Sequence, residues 1–285
     1  MRLPVKSIGL ILAGVLITLR PATALTPVDL ELVLGVDISG SVDVVEARLQ
    51  REGYVAALTN RAVIKAIRSG LLRRIAVTYF EWSDEFTRSV VVGWTLLHDT
   101  RSARRFAAAI AGAPAERGRY TSIGGAIDFA VPMFGANNFE GTRRVIDLSG
   151  DGPNNVGRLV TEARDAAVAA GITVNGLPIV NDRPNRFGMP MPDLDLYYRK
   201  CVIGGPGAFL VMADNFDSFA VAVRRKLILE IAGLAIPARR THRALDVAHP
   251  TGRRSGLLRR VAAPRGAPPC DEGERRLERR RRDGF

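Results

Sequence analysis

The chain has 285 residues, 47% of them hydrophobic and 25% charged, so it can bury a sizeable core and is not a mainly disordered polymer. Its net charge of +12 points at first to nucleic acid, yet residues 236–285 carry +8, residues 1–24 carry +3, and only +1 remains across residues 25–235. A basic groove on the folded part is therefore not indicated. Two cysteines argue against a disulfide scaffold or a cysteine-built zinc site, and the three histidines lack metal-ligand spacing.

The chain opens with Arg2 and Lys6, an apolar run over residues 8–19, and Ala22-Thr23-Ala24. This is the pattern of a secretory signal over residues 1–24, cleaved to leave Leu25 first, and it predicts a periplasmic or secreted bacterial protein. Twelve residues span about 18 Å as a helix, short of a hydrocarbon core of about 30 Å, and no later segment is long enough. No transmembrane span is expected once the signal is removed.

Strand and helix signals then alternate. Residues 29–36 (DLELVLGV) read as a buried parallel strand, and residues 42–69 as one long helix closed by Gly70. Residues 74–82 and 87–94 read as an antiparallel hairpin, followed by helices over 100–111 and 122–134. A strand over 144–148, a helix over 157–170, a strand over 172–177, a strand over 209–212 and a helix over 218–232 complete the pattern. This predicts an α/β fold, a mostly parallel sheet with helices on both faces and one antiparallel edge strand, whose ligands gather at the carboxyl edge. Residues 181–206 read as a long functional or capping loop, and residues 236–285 as a disordered Arg/Pro/Gly-rich tail.

Three segments bring oxygen-bearing side chains to that edge. Asp37-Ile38-Ser39-Gly40-Ser41 follows the first strand and opens a helix. Its hydroxyls and carboxylate are hard donors suited to Mg²⁺ or Ca²⁺, although Ser39 or Ser41 as a plain helix cap explains the pattern equally well. Tyr120-Thr121-Ser122-Ile123-Gly124-Gly125 precedes another helix, and Asp147-Leu148-Ser149-Gly150-Asp151-Gly152 ends another strand.

DISGS, a later Thr and a strand-terminal Asp-Gly together resemble the metal-ion-dependent adhesion site of von Willebrand factor type A domains, over about residues 28–234. SGDGPNN and YYRKCVIGGPGAF further resemble an exported bacterial branch of such proteins, domain of unknown function 1194. The resemblance implies a Rossmann-like fold and a bound Mg²⁺, or Mn²⁺ or Ca²⁺. Ser39, Ser41 and Thr121 would ligate the ion directly, and Asp37 and Asp151 mainly through water. One position would stay open for an Asp or Glu of a protein partner.

The third segment departs from the commonest pattern in carrying Asp147 within the strand, either supporting the site from below or paired elsewhere. Asn154 and Asn155 cap or shape the turn, or line the site's rim. Trp82 and Trp94 read as packing residues, and His98-Asp99 as a loop or helix cap. Cys201 either pairs with Cys270, as an exported protein would allow, or stays a buried free thiol, the reading favoured because Cys270 falls in the tail. These features point to a non-enzymatic, cation-dependent protein-binding module of unknown oligomeric state. The alternative is a Mg²⁺-dependent phosphoester hydrolase with Asp37 or Asp147 as nucleophile or base. It is disfavoured because the three segments hold no His, Lys or Arg. Specific nucleic-acid binding by the tail lacks interleaved aromatic residues.

Overall fold

The computed structural model describes residues 24–180, 184, 189–233 and 266–284. The expected leader up to residue 23 and residues 236–265 of the tail lie outside the described residues.

The chain begins with a short strand β1 (Thr26–Val28) and then β2 (Glu31–Asp37), followed by α1 (Val44–Leu58) and α2 (Arg61–Ser69). A hairpin of β3 (Ile75–Trp82) and β4 (Arg88–Leu97) leads to α3 (Thr100–Gly112) and α4 (Ile123–Ala130), the latter continued by a 3₁₀ turn. Next come β5 (Phe139–Gly141), β6 (Arg144–Gly150), α5 (Val160–Ala169) and β7 (Thr173–Pro178). A short α6 (Leu194–Tyr197) runs into a π-turn over Tyr198–Val202, and α7 (Phe219–Ala232) and α8 (Glu272–Arg282) complete the described elements.

The main sheet has the order β4-β3-β2-β6-β7, with β4 antiparallel to β3 and every other pair parallel. β1 and β5 form a separate two-stranded ladder. The anticipated α/β fold with one antiparallel edge strand is the fold observed. Every residue of β2 is buried, which explains its continuous apolar run: both of its faces are covered. Leu32, Leu34 and Val36 pack into one layer with α1, α2, α3 and α7. Val33 joins Phe80, Leu148 and Trp82 in the other layer, beneath α4, α5 and α6. Because β2 is central, its last residue, Asp37, emerges at the middle of the carboxyl edge.

Four expectations are corrected. The helix over 42–69 is two helices. Thr59 Oγ1 turns back to Val55 O at 2.8 Å, and Asn60, in extended conformation, starts α2 by accepting from Ala62 N at 2.9 Å. The apolar periodicity runs through this break, so periodicity alone does not reveal it. Residues 209–212 form no regular strand, only isolated bridges such as Gly176 to Leu210. Cys201 is not a free thiol. It is bonded to Cys270, with 5.5 Å between their Cα atoms, and the segment expected to be disordered carries α8 just beyond that bond. Asp271–Arg275 and Glu272–Arg276 pairs at 2.8 and 3.1 Å support this helix locally. Among the described residues no helix is long and apolar enough to cross a membrane.

Behind the carboxyl edge the core holds an ion network. Lys226 on α7 is fully buried, and its Nζ lies 2.8 Å from Asp147 Oδ1 and 2.9 Å from Glu230 Oε2. Asn175 Nδ2 donates to the other Glu230 oxygen at 2.6 Å. Asp147 is thus an acid paired within the core, the second of the two roles open to it. Burial still raises its carboxyl to about 6, against the opposing pull of Lys226. Lys226→Met should cost about 3–5 kcal/mol in urea titrations, because it strands buried acids without a counter-charge. The loss should be larger at pH 8 than at pH 5, since a protonated Asp147 is one uncompensated charge fewer.

Candidate metal centre

The first segment leaves β2 and does not cap the helix after it. Asp43 caps α1, accepting from Val45 N at 2.7 Å and Glu46 N at 2.9 Å, while Glu46 returns the bond from Asp43 N. Ser39 and Ser41 are released from the capping role, and their hydroxyls face each other at 3.2 Å. Ser122 likewise caps α4 by accepting from Gly125 N at 3.3 Å, so its neighbour Thr121 is not the cap.

Register brings the third segment to the first. β2 pairs with β6 so that Val36 lies beside Ser149, and the residues that follow, Asp37 and Gly150, come together at the strand ends. A Cβ built on Gly150 would lie 2.8 Å from Tyr198 Oη and 2.9 Å from Asp37 Oδ2, so only glycine allows this approach. Ser41 Oγ donates to Asp151 Oδ1 at 2.6 Å. Thr121 is tied to the same turn by a reciprocal pair: its N–H donates to Asn155 Oδ1 at 2.9 Å, and Asn155 N donates to Thr121 O at 2.8 Å. Asn154 Oδ1 accepts from Gly124 N at 2.9 Å. The two asparagines shape the turn and clamp the second segment onto the third, and Asn155 also lines the cavity there.

Asp37, Ser39, Ser41, Thr121 and Asp151 are therefore brought to one place, and Asp147 is not. Asp37 Oδ1 accepts from Ser39 N at 2.7 Å, but its buried Oδ2 accepts no hydrogen bond among the described residues. Burial, and then the charge of Asp151, push the Asp37 carboxyl up to about 8. Asp151 rises to about 6 through its own burial, against the Ser41 bond that favours its charge. Both shifts mark two acids that share a dry site without a cation between them. Among the described residues no three His, Cys, Asp or Glu gather as a metal cluster. Two carboxylates and three hydroxyls are nevertheless a donor set of hard oxygens, which fits a hard divalent cation that keeps part of its water shell.

Ser41, Thr121 and Asp151 open onto a cavity of about 100 Å³. The cavity is also lined by residues not anticipated as site residues: Arg119, just before the second segment, Met191, and Arg276, Leu277 and Arg280 of α8. One sequence signal could have found α8. Two cysteines in a chain with an export signal favour pairing, and pairing draws the tail onto the domain.

Residues 27–235 match the family described as "Protein of unknown function (DUF1194)", and the chain belongs to that family. No curated protein matches it in sequence. Among solved structures, the pilus adhesin SpaC from Lactobacillus rhamnosus GG is similar at 14% identity and a TM-score of 0.53, covering 73% of this chain and 31% of that one. Proximal thread matrix protein 1 from the mussel byssus is similar at 15% identity and a TM-score of 0.50, covering 74% and 49%. The chain thus spans about half of the mussel protein and about a third of the adhesin. A von Willebrand factor type A protein from Catenulispora acidiphila has 14% identity and a TM-score of 0.49, covering 72% and 43%. At these identities the likeness is one of fold alone.

The raised carboxyls have a consequence for pH. A folded acid raised above its ordinary 3.8 holds a proton that the unfolded chain has released, so stability falls as pH rises from about 4 to the raised value. Asp147 and Asp151 act up to about 6, leaving the interval from about 6 to about 8 to Asp37. In EDTA the wild type should melt lower at pH 8 than at pH 6, and Asp37→Asn should remove that difference. A flat calorimetric profile for wild type between pH 6 and 8 would count against the buried pair.

Proposed function

We propose that this member of the DUF1194 family is an exported, non-enzymatic binding module that holds a divalent cation, Mg²⁺ or in its place Mn²⁺ or Ca²⁺, and captures a carboxylate of a protein partner. The observation that carries the reading is the buried, unsatisfied Asp37 Oδ2 beside a second buried acid, with Ser39 and Ser41 freed from capping. An isolated buried carboxylate is costly, and a hard cation offsets both its desolvation and its repulsion from Asp151. Ser39, Ser41 and Thr121 would hold the ion directly, with Asp37 and Asp151 behind bound water. The bound ion would supply a concentrated positive charge to an arriving Asp or Glu. One of the fold relatives is a pilus adhesin and another a byssal matrix protein, roles of the same adhesive kind.

The arginines of the cavity wall give the phosphoester-hydrolase alternative the cationic groups that the three segments lack. It still wants a base. Asp147 is locked to Lys226 in the core, and the residues lining the cavity include no His, Cys or Lys. Asp151 is the one acid on the cavity wall among the described residues, and its bond from Ser41 sets it towards the candidate ion rather than as a free base, so the binding reading stands ahead.

Two measurements test the proposal. Saturating Mg²⁺ should stabilise the protein by about 1–3 kcal/mol through mass action, and Asp37→Ala and Asp151→Ala should each remove that gain without unfolding the apo domain. Thr121→Ala should weaken Mg²⁺-dependent partner capture more than it weakens folding. Equal calorimetric responses of wild type and Asp37→Ala to the ion would sink the metal reading. Export is checked separately: N-terminal sequencing of the mature protein should begin at Leu25, and a cytoplasmic protein that keeps Met1 would refute it.

A further inference from the structure

α8 lies outside residues 27–235, the part that matches the family, yet it is built into the wall of the candidate centre. Four contacts fix it there. The Cys201–Cys270 bond fastens the residues just before the helix, and Tyr197 Oη donates to Cys270 O at 3.3 Å. Glu274 Oε1 accepts from Asn154 Nδ2 at 2.7 Å, on the same asparagine that holds the start of α4. Gly273 presses on Asn154 so closely that a Cβ there would sit 1.8 Å from the Asn154 carbonyl oxygen. The docking surface is therefore the metal turn itself.

Helical spacing then decides what α8 shows to the cavity. Gly273, Arg276, Leu277 and Arg280 follow one another at three- and four-residue steps and share one face, and all four line the cavity. Glu272 accepts from Arg276 Nε at 3.1 Å and holds it in that direction. Arg119, which also lines the cavity, rests on the Tyr120 ring at 5.1 Å. Leu277 and Met191 add apolar wall to the same cavity.

We propose that α8 completes a ligand pocket for an acidic partner segment, in which one glutamate carboxylate reaches the cation and a neighbouring acid is held by Arg276 and Arg119. This rests on the metal reading above and narrows its partner to one with at least two adjacent carboxylates. The charge balance supports it. Asp37 and Asp151 would offset a divalent ion, and Glu272 is shared between Arg276 and Arg279, so the three lining arginines leave the pocket with an excess of positive charge. A cavity of about 100 Å³ has room for a carboxylate and a short aliphatic stem, and Leu277 and Met191 offer that stem an apolar surface. Guanidinium groups also pair with carboxylates in a directional, bidentate way that a lysine does not match.

The test uses the mature full-length protein, with a capped tri-glutamate peptide as probe and acetate as the single-carboxylate control, in Mg²⁺ and in EDTA. Tri-glutamate should bind in Mg²⁺ well above acetate. Arg276→Gln and Arg119→Gln should each weaken it about tenfold while leaving the Mg²⁺-induced rise in melting temperature intact. Gly273→Ala removes no charge but displaces the helix, and it should weaken tri-glutamate to a similar degree. Retention of the Mg²⁺-induced rise in each variant shows that the domain is folded. If tri-glutamate binds no better than acetate, or if the arginine variants bind it as wild type does while the Mg²⁺ response persists, the pocket is refuted and the metal reading survives. If wild type shows no Mg²⁺ response, the metal reading fails and the proposal falls with it.

Discussion

Two carboxylates forced together at the dry end of a parallel sheet are the constraint on which the rest of this structure depends. β2 and β6 are adjacent and in a register that seats Asp37 beside Gly150, with Asp151 one residue further on. Both acids are buried and both are pushed towards their neutral forms. The surrounding arrangement makes sense as support for this placement. Capping is delegated to Asp43 and Ser122, which leaves Ser39, Ser41 and Thr121 for other work. The Thr121–Asn155 pair fixes the second segment against the third.

The same chain shows how it treats an acid that is not meant for a cation. Asp147 lies four residues before Asp151 and is equally buried, but Lys226 is set 2.8 Å from it. The two sites are separated by the pleat and by the strand's end. Asp147 and Ser149 face the layer of α1 and α7, where Tyr54 Oη donates to Ser149 Oγ at 3.4 Å. Asp151 lies past Gly150, the last strand residue, and turns towards Ser41 instead. One acid is neutralised by a protein side chain, whereas the other two share a site with no protein cation between them. That contrast is the physical argument for a metal at the second place and not at the first.

The sheet and the positions of the three segments were legible because buried parallel strands write continuous apolar runs, and Gly-flanked Asp and Ser mark where those runs end. What escaped was whatever periodicity and composition do not encode. The helix break at Asn60 is a local cap inside an unbroken apolar pattern. Arg119 stood two residues from Thr121, but nothing in sequence shows that its side chain lines the cavity. α8 was hidden for a different reason: its composition is that of a solvated tail, and its place depends on a covalent bond to Cys201, far away in sequence.

The placement of α8 also bears on what the site selects. A cation held by two aspartates is close to neutral as a unit, so by itself it would discriminate weakly between one carboxylate and another. Selectivity would then have to come from what surrounds the ion, and the helix beside the proposed centre lies outside the residues that match the family. The Asp/Ser/Thr set lies within residues 27–235, whereas Arg276 and Leu277 come from the helix beyond them. Its attachment through Gly273 and Asn154 makes that extension sensitive to the geometry of the metal turn, since the same asparagine braces α4. An ion bound at the proposed centre and the charge on the helix would therefore be coupled through one side chain, so that a partner engaging both would read one surface.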